Sequence, residues 1–161
     1  MAEVVPGRMT HAHDGSLVVF HIGMRVNQPW RPDLWLPVFR AMPRMLAELS
    51  ADPASGLLGS RLVFSPLAPW IVQWWDSVDA LYAYASNPEA EHRPAWTAFN
   101  RAARDAPGAV GIWHETYVVD RAESMYVGMP PTGLGRVTSL VPVGRRSDRA
   151  AARLADGAAR A

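Results

Sequence analysis

The residues best suited to chemistry lie in one stretch of the chain, residues 92–119. His92 stands two positions before Pro94, a residue favoured in the first turn of a helix, and Trp96 and Asn100 extend the same helix face. The positive end of a helix dipole disfavours protonation of an imidazole placed there. A neutral imidazole can take up a proton or ligate haem iron, so His92 is a candidate acid–base residue or haem ligand. The competing interpretation is a structural histidine packed at a helix start.

A second group of candidates lies on two predicted strands. Trp113, His114, Glu115 and Tyr117 follow one another on the later strand, and His21 and Arg25 lie on the earlier one. His114 and Glu115 are neighbours on a strand, so they point to opposite faces. A buried Glu115 would need a cation such as Arg25. His21 and His114 are expected across from each other, where they could share a proton or a bridging water; structural hydrogen bonding is the alternative for each.

Aromatic side chains surround these polar residues. Trp74 and Trp113 are candidate walls of an apolar cavity for a flat substrate, with Glu115 and Tyr117 as further substrate contacts. The alternative is that the tryptophans are core residues.

The elements that position these residues follow from hydrophobic periodicity. Residues 17–27 alternate as a strand, residues 34–51 have helical spacing, residues 57–65 and 70–76 form a hairpin, Ser77 and Pro94 open helical segments, and residues 110–119 form the last strand. Pro43 predicts a kink or a split in the first helix.

The order β-α-β-β-α-β predicts an α+β, ferredoxin-like fold, an antiparallel sheet with two helices on one face. The first and third strands are expected at its centre, parallel to each other. The other face of the sheet needs cover, and pairing with the sheet of a second copy in a dimeric α+β barrel is the expected solution.

The fold-bearing region is predicted to span residues 16–120. Residues 1–15 are predicted to be an irregular arm, and His11 and His13 in it to be solvated. Residues 121–144 are predicted to be an apolar extension that packs on the domain or on the partner. Residues 145–161 are predicted to be a disordered tail or, at best, a weak terminal helix.

Composition excludes several function classes. The chain has 161 residues, a formal net charge of +1 and no cysteine, which argues against a nucleic-acid module and rules out thiolate chemistry. Dinucleotide, P-loop, nucleophile-elbow and HExxH motifs are absent from the sequence. No run of residues is long and apolar enough for a membrane span, and no signal sequence precedes the fold, so a cytoplasmic location is expected.

Five stretches, VVFHIGMRVN, WLPVFRAMPRMLAEL, HRPAWTAFNRAAR, GIWHETYVV and MPPTGLG, resemble in this order the monooxygenase-like family typified by the fumagillin-pathway monooxygenase. This family belongs to the dimeric α+β barrel, antibiotic-biosynthesis-monooxygenase-like superfamily. The resemblance implies the same fold and oxidative chemistry. Related branches include cofactor-free oxygenases of polycyclic aromatics and haem enzymes such as haem-degrading monooxygenases and aldoxime dehydratases, so the fold alone does not choose between them.

The haem branch gives specific expectations for the helix. In haem-degrading relatives a helix-borne histidine ligates iron near a Trp and an Asn, which implies His92 as the metal ligand with Trp96 and Asn100 beside the cofactor.

The expected function is that of a homodimeric monooxygenase-like oxidoreductase acting on a small hydrophobic or aromatic molecule. Its pocket is expected between sheet and helices, and its cofactor is haem or none. His92 would be the haem ligand or base, while His21, Arg25 and His114 would orient substrate or dioxygen. The alternative is a non-catalytic protein of the same fold that binds haem or another hydrophobic ligand.

Overall fold

The computed structural model of the chain describes residues 2–158. Of these, the residues up to Val18 and from Val118 onward form one compact unit, here called the terminal unit, and Val19–Tyr117 form a second, the central unit. The elements along the chain are β1 (Val5–Ala12), β2 (Leu17–Val26), α1 (Pro32–Ala51), β3 (Leu57–Val63), β4 (Trp70–Trp75), α2 (Val78–Ser86), α3 (His92–Asp105), β5 (Val110–Val119), β6 (Tyr126–Met129), α4 (Leu134–Val137), β7 (Ser139–Pro142) and α5 (Ala150–Ala158).

The four-stranded sheet has the order β3-β4-β2-β5. This is the predicted ferredoxin-like order, with the first and third predicted strands in the centre. The expectation that these two central strands run parallel was wrong. The N–H groups of Met24 and Val26 donate to the carbonyls of Pro69 and Leu67, so residue numbers rise on one side as they fall on the other. Strands β3 and β4 form an antiparallel hairpin. Strand β4 also runs antiparallel to its other neighbour, β2.

Helix α1 does not split at its prolines. Pro37 and Pro43 both lie inside one helix of 20 residues, although each removes a backbone hydrogen bond. Leu34, Val38 and Leu49 of this helix are buried. Tertiary packing along its length therefore sustains the helix where local propensity is weak.

The second helical region consists of two helices, α2 and α3, as the sequence predicted. Ser77 caps α2, since its hydroxyl oxygen accepts from the N–H of Ala80 at 3.1 Å. Pro94 lies in the first turn of α3, where its missing N–H has no intrahelical partner to lose.

One face of the four-stranded sheet packs on the helices. Met24 and Val26 of β2 share a buried cluster with residues of α1 and α3 and the start of β5: Leu34, Val38, Ala102, Ala109 and Val110, with Phe99 and Ile112 packed against it. Even-numbered positions of β2 and β5 therefore face the helices. Odd-numbered positions of these strands lie on the opposite face, here called the far face.

The terminal unit has regular structure in three stretches that the sequence predicted as an arm, an extension and a tail. Residues 5–12 are strand β1 rather than an irregular arm, and the stretch predicted as an apolar extension supplies β6 and β7, which pair antiparallel with β1 on its two sides. The prediction missed this sheet because partners such as Met9 and Tyr126 are more than a hundred residues apart. The predicted disordered tail contains α5, where alanine favours helix and Arg153 pairs with Glu123. The last three residues of that tail lie outside the described residues.

Within residues 2–158, no helix combines the length and the apolar character needed to cross a membrane.

Candidate functional site

Five side chains of the central unit gather on the far face. They come from three adjacent strands, β2, β4 and β5, and are His21, Trp70, Trp113, Glu115 and Tyr117; we call them the far-face cluster. The His21 ring lies 4.8 Å from the Trp70 ring and 5.4 Å from the Tyr117 ring, in both cases edge to face. The rings of Trp70 and Trp113 are 5.9 Å apart. An imidazole is thus held between aromatic walls, as expected for a site that binds a flat molecule.

A carboxylate connects two of these residues. Glu115 Oε2 lies 3.8 Å from His21 Nδ1 and accepts a hydrogen bond from the Tyr117 hydroxyl at 2.7 Å. The His21 side chain is 23% exposed and that of Glu115 is 54% exposed, so water screens their attraction while the imidazole remains reachable. The second ring nitrogen of His21 is not used by this contact. It could exchange a proton with a bound molecule.

Tyr117 is a donor in this arrangement. Its hydrogen bond to Glu115 raises the pKa of the Tyr117 hydroxyl, with smaller contributions from desolvation and from the carboxylate charge. Tyr117 therefore stays protonated at neutral pH and fixes the orientation of Glu115.

Gly23 lets the two tryptophans lie against β2. A Cβ atom at this position would lie 2.6 Å from Trp70 Cβ and 2.7 Å from Trp113 Nε1, closer than side chains can approach. The glycine therefore sets how deeply the Trp113 ring sits on the sheet, although 36% of that residue remains exposed.

The remaining strand candidates fall elsewhere. His114 lies on the face toward the helices, with its ring 5.7 Å from Phe20, so the predicted pairing of His21 with His114 was wrong. The reason is parity: His21 is at an odd-numbered position and His114 at an even-numbered one, and on these two strands odd and even positions lie on opposite faces of the sheet. Arg25 is exposed, and the carboxylate of Glu115 is engaged by His21 and Tyr117 instead. Trp74 shares the strand face of Trp70 but is only 8% exposed, so it is a core residue, the alternative considered from the sequence.

His92 lies on the helix side of the central unit. Its ring is 5.6 Å from the ring of Tyr84, and its Nδ1 is buried without a hydrogen-bond partner among the described residues. Burial lowers the pKa of His92, helped by the nearby charge of Arg93 and opposed by Glu48 and the backbone of Ala85. The imidazole is therefore held neutral, as the sequence predicted.

Glu48 of α1 completes this second group. Its Oε2 accepts from the Tyr84 hydroxyl at 2.8 Å and from the N–H of Glu91 at 3.0 Å. Burial, and then this hydrogen bond, raise the pKa of Tyr84. The carboxylate thus joins α1, α2 and the start of α3. This is a positioning network, and it explains why α3 begins where it does.

The three residues implied for haem do not form one site. Trp96 and Asn100 are exposed, and Trp96 packs on Phe99 at 5.7 Å rather than beside His92. The Nδ1 atom of His92 has almost no accessible surface, so this ring nitrogen has no open space in front of it for a haem iron. Within residues 2–158, no group of three or more His, Asp or Glu side chains is arranged to hold a metal ion. The residues present do not fit a haem site, and we derive no step through haem.

A groove of about 800 Å³ in the central unit runs between α1 and α3, lined among others by Asp33, Pro37, Glu91 and Arg101. None of the predicted site residues lines it.

Two residues that shape the far-face cluster were not among the predicted site residues. They are Trp70, whose ring lies beside His21, and Gly23, which lets the tryptophans approach β2. A glycine inside an otherwise regular strand is a signal for close approach of another group, and it marks the right place here.

Comparison with known proteins gives a consistent picture. A family model described as Monooxygenase af470-like matches residues 17–134. Monooxygenase af470 of Aspergillus fumigatus is 31% identical over 171 aligned residues, which cover 92% of this chain and 59% of the relative. The chain thus spans about three fifths of the length of that curated relative.

Among solved structures, the aldoxime dehydratase OxdRE in complex with butyraldoxime is similar, with a TM-score of 0.65, 21% identity, and coverage of 84% of this chain and 43% of that one. SnoaB, a cofactor-independent oxygenase from Streptomyces nogalater, has a TM-score of 0.48 and 14% identity over 67% of this chain and 97% of its own. The likeness to OxdRE concerns the fold alone.

Proposed function

The chain belongs to the Monooxygenase af470-like family, and on that premise we propose that it is an oxygenase whose reaction centre is the far-face cluster. One observation carries the proposal: His21 stands between aromatic rings with Glu115 3.8 Å from one ring nitrogen. A histidine backed by a carboxylate is a common form of general base, because the carboxylate stabilises the imidazolium that forms.

The proposed substrate is a small aromatic or hydrophobic molecule with an acidic C–H or O–H group. Trp113 and Trp70 supply flat surfaces on which an aromatic ring can stack. Since Tyr117 donates to Glu115, the carboxylate stays oriented toward His21. The polar groups are few and concentrated at one place, as in sites that orient an otherwise apolar ligand.

The reaction can be balanced without a redox cofactor. His21 takes a proton from an activated CH2 group of the substrate, and the carbanion transfers electrons to dioxygen. One oxygen atom becomes the new C=O group and the other leaves as water, so that R–CH2–R′ and O2 give R–C(=O)–R′ and H2O. The substrate supplies all the electrons. The chain supplies the base, the aromatic walls and the orientation.

A homodimer belongs to this proposal. The far-face residues Trp113 and Tyr117 are 36% and 48% exposed, and exposed aromatic clusters usually mark a binding surface. A second copy placed over the far face would exclude water from His21 and would turn an exposed cluster into a closed hollow. The site would then lie on the side of the sheet away from the helices, not between sheet and helices as the sequence suggested.

Anthrone is a suitable probe, because it is a flat tricycle with an acidic CH2 group. The purified protein is incubated with anthrone in air-saturated buffer while oxygen consumption and the absorbance of anthraquinone are followed. The proposal predicts one dioxygen consumed per anthraquinone formed, at a rate well above the spontaneous one. A rate no higher than that of buffer would contradict it.

The alternative is a non-catalytic protein that holds a hydrophobic ligand on the same face. The binding site of such a protein would have the same aromatic walls. The exposure of Trp113 is equally consistent with ligand binding alone and with catalysis. Quenching of tryptophan fluorescence by anthrone under nitrogen, combined with no turnover in air, would support the binder.

A further inference from the structure

The terminal unit contains a cavity of its own. It has a volume of about 450 Å³, within the range of pockets that hold small ligands. Apolar side chains form part of the wall: Leu17, Val118, Val119, Val141 and Pro142. The titratable groups that line it are His11, His13, Asp120, Arg121, Arg153 and Asp156.

His11 is held in one orientation. Its backbone N–H donates to Ser124 Oγ at 3.0 Å, so that oxygen already accepts one hydrogen bond. Ser124 Oγ also lies 2.8 Å from His11 Nδ1, while Thr10 Oγ1 is farther away at 3.5 Å. The serine proton is therefore best donated to Nδ1, which places the proton of the neutral ring on Nε2.

The ring stays neutral. Burial lowers the pKa of His11, and the neighbouring His13 lowers it further, against a smaller opposing effect of Glu123. Since Ser124 occupies Nδ1 and His11 lines the cavity, the Nε2–H edge is the part of the ring left for a ligand. The cavity therefore presents an oriented donor against apolar walls.

Arg153 does not make the cavity an anion site. Four of its five N–H donors are used: Nε and Nη2 bind Glu123 Oε1, and Nη1 binds the carbonyls of Ser147 and Asp148 at 2.9 and 2.8 Å. Its charge is matched by Glu123.

The remaining charges disfavour an anion. Arg121 and Asp120 pair with each other at 3.2 Å, and within residues 2–158 the carboxylate of Asp156 has no such partner. A ligand that carries a carboxylate or phosphate would meet this charge, while each arginine of the wall already has a carboxylate partner.

We propose that this cavity is a second ligand site, which binds a small uncharged molecule with an apolar body and a carbonyl or ether oxygen that accepts from His11 Nε2–H. This proposal uses no residue of the far-face cluster, so an experiment can contradict either proposal without contradicting the other.

Two probes of nearly the same shape test the ligand class. The full chain, labelled with ¹⁵N, is titrated with cyclohexyl methyl ketone and separately with cyclohexanecarboxylate while the histidine ring nitrogens are followed by NMR. We expect the ketone to shift the His11 Nε2 resonance in a saturable manner. The carboxylate should bind at least about tenfold more weakly, because it loses one hydrogen bond or gains one contact between like charges. Equal binding of both probes, or no shift of His11 up to about 10 mM ketone, would overturn the proposal.

Two substitutions at one position separate the donor from the fold. His11→Gln keeps an N–H donor at a similar reach and should retain ketone binding, whereas His11→Leu keeps bulk without a donor and should lose about tenfold in affinity. Backbone amide spectra report whether each variant is folded. Unchanged binding in a folded His11→Leu would overturn the role of His11. Trp113→Ala should leave the titration unchanged, and its failure to do so would place the ketone on the far face.

Discussion

Gly23 of β2 and Trp113 of β5 fit together because the glycine lacks a Cβ atom, which would lie 2.7 Å from the Nε1 atom of the indole. The Trp113 ring covers the backbone of the neighbouring strand at this point and forms one wall beside His21. The shape of the far-face cluster therefore depends on a residue that carries no functional group.

Replacing Gly23 by alanine should displace Trp113 and Trp70 from the sheet. We expect a loss of about 1–3 kcal/mol in the free energy of unfolding, the usual range for overpacking, together with a shift in tryptophan emission. Gly111→Ala is the matched control, because a Cβ there meets only Arg25 Cβ at 3.6 Å, an ordinary contact. Urea unfolding followed by fluorescence measures both effects. Equal stability of the two variants would show that the packing at Gly23 is not tight.

Much of the fold followed from periodicity, because β2 and β5 alternate cleanly and the turn residues mark their ends. The same alternation places His21 and Glu115 on one face and His114 on the other. Alternation separates the two faces of each strand, but it does not show which face of one strand lies on the same side as which face of the next. The prediction therefore paired His21 with His114, which lie on opposite faces of the sheet. The hydrogen bonds of Glu48 to Tyr84 and to the start of α3 join three separate elements, and no local pattern marks them.

Tyr117 should titrate at a lower pH when its partner loses its charge. In wild type the Glu115 carboxylate raises the pKa of Tyr117, so Glu115→Gln, which keeps an acceptor but no charge, should move the pKa downward. Absorbance near 295 nm follows phenolate formation, and Tyr117→Phe identifies the component that belongs to this residue. If that component stays at the same pH in Glu115→Gln, the hydrogen bond is not formed in solution.

Stability should fall as the solution is acidified below about pH 6.5, in part through His92. Its pKa is lowered in the fold, so the unfolded chain binds the proton more readily. The free energy of unfolding therefore decreases as pH falls through the ordinary histidine pKa toward the lower folded value, by at most about 1.4 kcal/mol per pH unit for one proton. His92→Phe should flatten the curve measured by urea unfolding between pH 8 and pH 5. A wild-type slope retained in His92→Phe would mean that His92 is solvated.

Added haemin should give no Soret band that depends on His92. The enclosed Nδ1 of His92 leaves no room for iron at that nitrogen, and Trp96 and Asn100 are exposed, with Trp96 packed on Phe99. Haemin is titrated into wild type, His92→Ala and, as a matched control, His114→Ala. Identical spectra for all three are expected. A Soret band that is lost only in His92→Ala would show that His92 ligates haem. The helices around His92 would then have to move apart to admit the haem.

The central claim is that the oxidation takes place on the far face and not beside the helices. Turnover of anthrone by His21→Gln, His92→Gln and His114→Gln, each checked for folding by circular dichroism, tests it most directly. We predict a loss of about 10²- to 10⁴-fold in kcat for His21→Gln, the usual contribution of a general base, and less than about threefold for the other two. Full activity of His21→Gln, or a comparable loss in His92→Gln, would contradict the assignment.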